Sequence, residues 1–141
     1  MSWTDVKGYF QAVLENEGYS EHDDPFDSAN IPGNIIDKAF FIDFGPFTGV
    51  TLSMKDLETR VPVSISVFVK GFNSPVAARD AGIQIAETIV KEAVRPTKRL
   101  IFPITNVNFL TADFTPLSAD NDQVVVVTMN FTVRILLDIV N

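Results

Sequence analysis

Over Val124 to Leu137 every odd position is apolar (Val125, Val127, Met129, Phe131, Val133, Ile135, Leu137), while Thr128, Asn130, Thr132 and Arg134 stand between them. Over Val61 to Lys70 the odd positions Val61, Val63, Ile65, Val67 and Val69 are again apolar, and Ser64, Ser66 and Lys70 alternate with them. Side chains on a strand project alternately to opposite faces, so each segment predicts a strand with one apolar face and one face of hydroxyls, amides and an occasional cation. A sheet built on these two strands is covered on one side only. Its open side carries no obvious reactive set and suits a wall facing water or a partner.

The period changes to that of a helix at Thr4 to Glu15, where Val6, Tyr9, Phe10, Val13 and Leu14 follow the i, i+3, i+4, i+7, i+8 spacing of one buried face. Ser2 with Asp5 three residues on predicts a variant capping box, and Gly18 predicts the stop. Glu17 to Asn34 is acidic, rich in Asp, Asn, Ser, Pro and Gly, and without period, which predicts a long loop. Lys38 to Phe44 reads as a strand ended by Gly45-Pro46, and Thr48 to Lys55 as a short strand or an extended arm. Asn73-Ser74-Pro75 predicts a helix start, because Ser74 can accept from a first-turn amide and Pro75 occupies a position whose missing N–H costs nothing. That second helix runs to about Val94, before Arg95-Pro96. Along it Ala78, Gly82, Ile85, Ala86, Ile89 and Ala93 make a side of small residues and isoleucines that should lie flat on the sheet, with Asp80, Gln84, Glu87, Lys91 and Glu92 opposite. Leu100 to Leu110 reads as a strand region interrupted by Pro103, and Ala112 to Gln123 as a polar loop.

The order helix, strand, strand, helix, strand, strand predicts an α+β fold: a mostly antiparallel sheet of about four strands with two helices packed on one face. At 141 residues the chain reads as one domain, long enough to bury roughly 70% of its unfolded surface without a staple. There is no cysteine, hence no disulfide framework and no thiolate chemistry. Eleven Lys and Arg against eighteen Asp and Glu give a net charge of −7, which disfavours diffuse attraction to nucleic acid or anionic lipid. No basic region followed by an apolar run opens the sequence, and its most apolar stretch alternates with polar residues, so a soluble protein without a signal segment or membrane span is expected.

Candidate chemistry is sparse. His22, the only histidine, lies in Glu21-His22-Asp23-Asp24-Pro25-Phe26-Asp27, where carboxylate oxygens offer ligands to a hard cation. The spacing does not match the Asp-x-Asp-x-Asp-Gly calcium loop, and no second histidine completes a zinc set, so a solvated acidic loop is the preferred reading. Neither a nucleophile-histidine pairing nor a glycine-dense phosphate cradle is apparent. No enzyme activity, metal or cofactor is therefore expected. Arg95, Lys98 and Arg99 form one basic cluster just past the second helix. The ordinary reading complements the negative helix end; the alternative is an electrostatic joint in which they meet Glu21, Asp23 and Asp24 of a neighbouring copy. Among the twelve phenylalanines, Phe40, Phe44 and Phe131 fit core positions, whereas Phe41, Phe47, Phe68, Phe72 and Phe114 fall off the core face or in loops and hint at burial between subunits.

In arrangement the chain resembles the tail terminator, or tail completion, proteins of long-tailed bacteriophages. The resemblance is carried by the helix at Thr4 to Glu15, the strand Val61-Pro62-Val63-Ser64-Ile65-Ser66-Val67-Phe68-Val69-Lys70-Gly71, the helix at Ala77-Ala78-Arg79-Asp80-Ala81-Gly82-Ile83 and the closing strand Val125 to Arg134. It spans nearly the whole chain in element order and texture, without a diagnostic motif. It implies a virion protein forming a ring, usually of six subunits, at the head-proximal end of the tail tube. Such a ring halts tube polymerisation and offers a docking surface to head-connector proteins, with no catalysis and no cofactor. It further implies that Ser64, Ser66, Thr128, Asn130, Thr132 and Arg134 face the channel or the tube. A neutral to acidic wall suits a channel that passes DNA without gripping it. The rivals are another phage neck, tube or baseplate component and, in a different class, a small ligand-binding α+β domain.

Overall fold

The computed structural model describes residues 3–21, 38–51, 56–70, 75–95, 106–118 and 121–138. The elements run α1 (Thr4–Asn16), β1 (Ser20–Glu21), β2 (Ala39–Phe44), β3 (Thr48–Thr51), β4 (Asp56–Lys70), α2 (Pro75–Val94), β5 (Asn106–Ser118) and β6 (Asn121–Asp138). The fold is α+β, with two helices and a mixed six-stranded sheet rather than about four strands. The order across the sheet is β1-β2-β4-β6-β5, and β3 shares with β2 the same edge of β4. All pairs are antiparallel except β1 with β2, whose two-residue contact is parallel.

The centre of the sheet is the β4–β6 ladder, unbroken from Asp56↔Asp138 to Lys70↔Val124. Its odd positions are the core: Val61, Val63, Ile65, Val67, Val125, Val127, Met129, Phe131, Val133 and Ile135 are all buried. The α2 helix lies across β6 and β5, and α1 lies beside it toward β1 and β2. The faces turned inward follow the predicted spacings, with Val6, Tyr9, Phe10, Val13 and Leu14 from α1 and Ala78, Ala86, Ile89 and Ala93 from α2. Phe10 meets Phe131 at a ring separation of 5.2 Å, and the Tyr9 hydroxyl donates to the Ala93 carbonyl, tying the helices together. Each fully buried aromatic or aliphatic side chain here contributes about 1.5–3 kcal/mol.

Helix α1 ends as expected. Gly18 takes φ +90, and the amides of Gly18 and Tyr19 donate to Glu15 and Leu14, the paired bonds of a Schellman stop. Its start differs from the capping box predicted at Ser2, which lies outside the described residues. The N-cap is Trp3, with no side-chain cap. Tertiary contacts hold it instead: the Trp3 indole N–H donates to Thr59 Oγ1 at 3.2 Å, and its ring meets Phe47 edge-on at 5.0 Å.

Between β2 and β3 the edge strand is interrupted opposite Pro62. The Gly45 amide donates to the Pro62 carbonyl at 2.9 Å, and the Lys38 amide to the Phe68 carbonyl at 3.4 Å. The even residues of β4 therefore direct their backbone groups toward β2, and the odd ones toward β6. Pro62 is tolerated in a central strand because its missing N–H points into the gap between two edge strands, where no ladder bond is lost.

One expectation is corrected. Ala112 to Gln123 is not a loop: β5 continues to Ser118, and β6 begins at Asn121, which lies opposite Ser118. Of the phenylalanines read as surplus, three pack within the chain, while Phe41 lies half-buried on the opposite face of the sheet. Phe68 is buried, Phe47 and Phe114 pack against the core, and Phe47 stacks edge-on with Phe44 as well as Trp3; Phe72 lies outside the described residues.

Candidate functional site

Residues directly opposed on neighbouring strands share a face, so the registers assemble the open side of the sheet row by row. Thr48, Arg60, Arg134 and Asn106 form one row; Pro62, Thr132 and Asn108 the next; then Asp43, Ser64, Asn130 and Thr111; then Phe41, Ser66, Thr128 and Asp113. All six residues named from sequence for a channel- or tube-facing surface, Ser64, Ser66, Thr128, Asn130, Thr132 and Arg134, come together here, each half-buried among its neighbours.

Their side chains are wired across the strands. The Ser64 hydroxyl donates to Asn130 Oδ1 at 2.5 Å, and Asn130 Nδ2 donates to Thr111 Oγ1 at 2.9 Å, so one amide bridges β4 and β5. Ser66 and Thr128 hydroxyls lie 3.3 Å apart in the next row. At the far end, Glu58 Oε1 sits 3.6 Å from Arg60 Nε and 3.5 Å from Arg134 Nε. The two arginines oppose each other in register, and the carboxylate between them relieves their repulsion. Glu58 Oε1 is buried and has ion-pair distances but no hydrogen bond. With Thr48 and Gly49, Glu58 and Arg60 line a small cleft of about 170 Å³. Among the described side chains the face carries Arg60 and Arg134 against Glu58, Asp43 and Asp113. What these offer chemically is a fixed pattern of hydroxyls and amides with little net field.

Sequence reasoning missed Arg60, Glu58, Thr111 and Asp113. The signal was present: Glu58 and Arg60 continue the even-position phase of β4 upstream of Val61, and Thr111, Asp113 and Thr115 alternate with Ala112 and Phe114.

Of the residues named for a subunit joint, Glu21 and Arg95 are engaged within their own chain. Glu21 pairs with Lys7 at 3.4 Å and accepts from the Gln11 side-chain amide. Arg95 pairs with Glu92 at 2.8 Å, as a cation at a helix end ordinarily does. Asp23, Asp24, Lys98 and Arg99 lie outside the described residues, as does His22. Among the described residues no group of three or more His, Cys, Asp or Glu is placed to hold a metal ion, and no helix is long and apolar enough to cross a membrane. A second cleft, of about 270 Å³, opens between the end of α1 and α2 and is lined by Glu17, Tyr19, Gln84, Ile85, Thr88 and Ile89.

Comparison with protein-family models gives no match, and comparison with curated proteins gives no significant relative.

Proposed function

We propose that this chain is a structural virion protein: a tail terminator that closes as a homo-oligomeric, hexameric ring on the head-proximal end of a phage tail tube, ends tube polymerisation and presents a docking surface to head-connector proteins. The observation that carries the reading is the one-sided sheet. Both helices cover the apolar face, and on the opposite face Ser64, Ser66, Thr128 and Asn130 are hydrogen-bonded across the strands into a wall, with Thr132 and Arg134 beside them in register. In this reading the working core is the antiparallel part β2-β4-β6-β5 under two helices, with β1 and β3 as additions to one edge. The wall faces the channel or the tube, and weak net charge lets DNA pass without the counterion-release affinity that a cationic lining would create. No catalytic step and no cofactor enter. The joint between subunits pairs the acidic residues Glu21, Asp23 and Asp24, which follow α1 in the chain, with the basic residues Arg95, Lys98 and Arg99, which follow α2; to form it, Glu21 and Arg95 exchange their partners within the chain, Lys7 and Glu92, for the neighbouring copy. For the ligand-binding alternative the best site is the cleft beside Tyr19, which at about 270 Å³ falls short of the roughly 300–1,000 Å³ of ordinary ligand pockets.

The test is polymerisation of the cognate tail tube protein with and without this protein, followed by electron microscopy of the tube ends. Arrested tubes bearing a ring of density at one end are expected. Tubes that grow unaffected, with bare ends, would overturn the proposal.

A further inference from the structure

Among the described residues no strand pairs with the outer edge of β5. Because odd residues of β4 direct their backbone groups to β6, even residues of β6 direct theirs to β5, and their partners Asn106, Asn108, Thr111, Asp113 and Thr115 spend their amides and carbonyls inside the sheet. The backbone groups of Val107, Phe109, Ala112 and Phe114 point the other way, and among the described residues no strand lies beyond them. The edge is also apolar: Phe109 and Leu110 are 40% and 56% exposed, and Asp113 is the only charge from Asn106 to Thr115. Above it, α2 exposes Val76 and Ile83, seven residues apart, on the flank away from the one where Ile85 and Thr88 meet Tyr19. Long edges are normally guarded by charge; this one is not.

The edge is complementary to itself. Leu110 is the extra residue of a bulge, since Phe109 opposes Phe131 and Thr111 opposes Asn130. In an antiparallel pair of β5 strands centred between Leu110 and Thr111, Val107 meets Phe114 of the other copy and Phe109 meets Ala112. Every outward amide and carbonyl of the stretch then finds a partner. The two bulges fall opposite each other, and Asp113 lies across from Asn108 rather than from a second carboxylate. Pro116, with no amide to offer, marks where pairing ends.

We propose that two copies of this chain join edge to edge through β5 in this two-fold register, continuing the sheet across the dimer with Leu110 beside the axis. The contact is isologous and closes on itself, so it stands independently of the ring reading, whose contacts run head to tail.

Light scattering across a wide range of protein concentration, together with amide hydrogen exchange, tests it. Expected are a mass of two chains at high concentration and exchange at Val107, Phe109, Ala112 and Phe114 that slows as dimer forms. Ala112→Pro removes one outward amide while leaving the β5–β6 ladder intact, and should give a folded monomer. Leu110→Asp, on an exposed side chain, sets two carboxylates beside the axis and should do the same if the proline variant fails to fold. A monomer at all concentrations, a dimer that survives either folded variant, or any larger assembly in which those four amides exchange freely would overturn the proposal. Tube capping is read separately, in the polymerisation experiment.

Discussion

Gly45 and Pro62 touch where the edge of the sheet breaks: the Gly45 amide donates to the Pro62 carbonyl at 2.9 Å, and a Cβ on Gly45 would stand 3.0 Å from Pro62 Cβ. The proline ring is rigid and cannot withdraw. Gly45→Val should therefore cost about 1–3 kcal/mol, read as a lower urea midpoint with an unchanged slope. An unaltered midpoint would show that β2 and β3 can separate there without loss.

Gly82 sets the approach of α2 to the sheet, since a Cβ there would lie 3.0 Å from Val127 Cγ2 and 3.4 Å from Phe114 Cδ1. Alanine gains up to about 1 kcal/mol of helix propensity over glycine, and the crowding opposes it. Gly82→Ala should leave stability near that of the parent, and Gly82→Val should lower it by about 1–3 kcal/mol. In a double-mutant cycle, Gly82→Ala with Val127→Ala should lose less stability than the two single changes added together. Strict additivity would mean that the helix simply lifts.

On the open face the Asn130 side chain bonds to both neighbouring strands, to Ser64 and to Thr111. Asn130→Ala removes two hydrogen bonds in a half-exposed setting and should cost about 1–2 kcal/mol, measured by thermal or urea unfolding. Asn130→Ser, too short to span Ser64 and Thr111 together, should recover only part of it. A neutral Asn130→Ala would show that water replaces both bonds.

Arg134→Glu separates folding from the proposed function. Arg134 and Arg60, both partly exposed, share the Glu58 carboxylate, whose Oε1 is buried; Arg60 remains in the variant to offset Glu58, so the reversal should cost about 1–2 kcal/mol, declining with salt. The variant should melt somewhat lower than the parent, with the difference shrinking at high ionic strength, yet lose tube capping. A collapsed melting temperature with capping intact would place the role of Arg134 within the monomer.

The elements legible in the sequence were those buried on one side. The period-2 runs of β4 and β6 and the helical spacings of α1 and α2 named their inward faces correctly, and the same alternation named six of the polar residues on the open face. Strand β5 was half lost because its bulge at Leu110 shifts the phase and Pro116 reads as a break. The two-residue β1 exists only through its pairing with β2 and leaves no local period. Arg60 and Glu58 escaped because the recognised strand began at Val61, where the hydrophobic run begins, five residues inside the observed β4. Whether Glu21 and Arg95 find partners at home or abroad depends on Lys7, Gln11 and Glu92, and no periodicity encodes those choices.

The unbroken β4–β6 ladder also bears on the order of events as the chain matures. β4 borders two short strands on one side and owes its other side to β6, from which it is separated in the chain by the whole of α2 and β5. Pairings so remote carry the loop-closure cost before any reward, which places such topologies among slow folders, on the order of milliseconds to seconds. On a translating ribosome the apolar face of β4 therefore waits for β6 to emerge, and among the described elements α1 and α2 are the covers within reach until it does. A chain stalled before Asn121 would hold its most adhesive surface half dressed, which makes the interval between synthesis of β4 and of β6 the one in which a chaperone matters most.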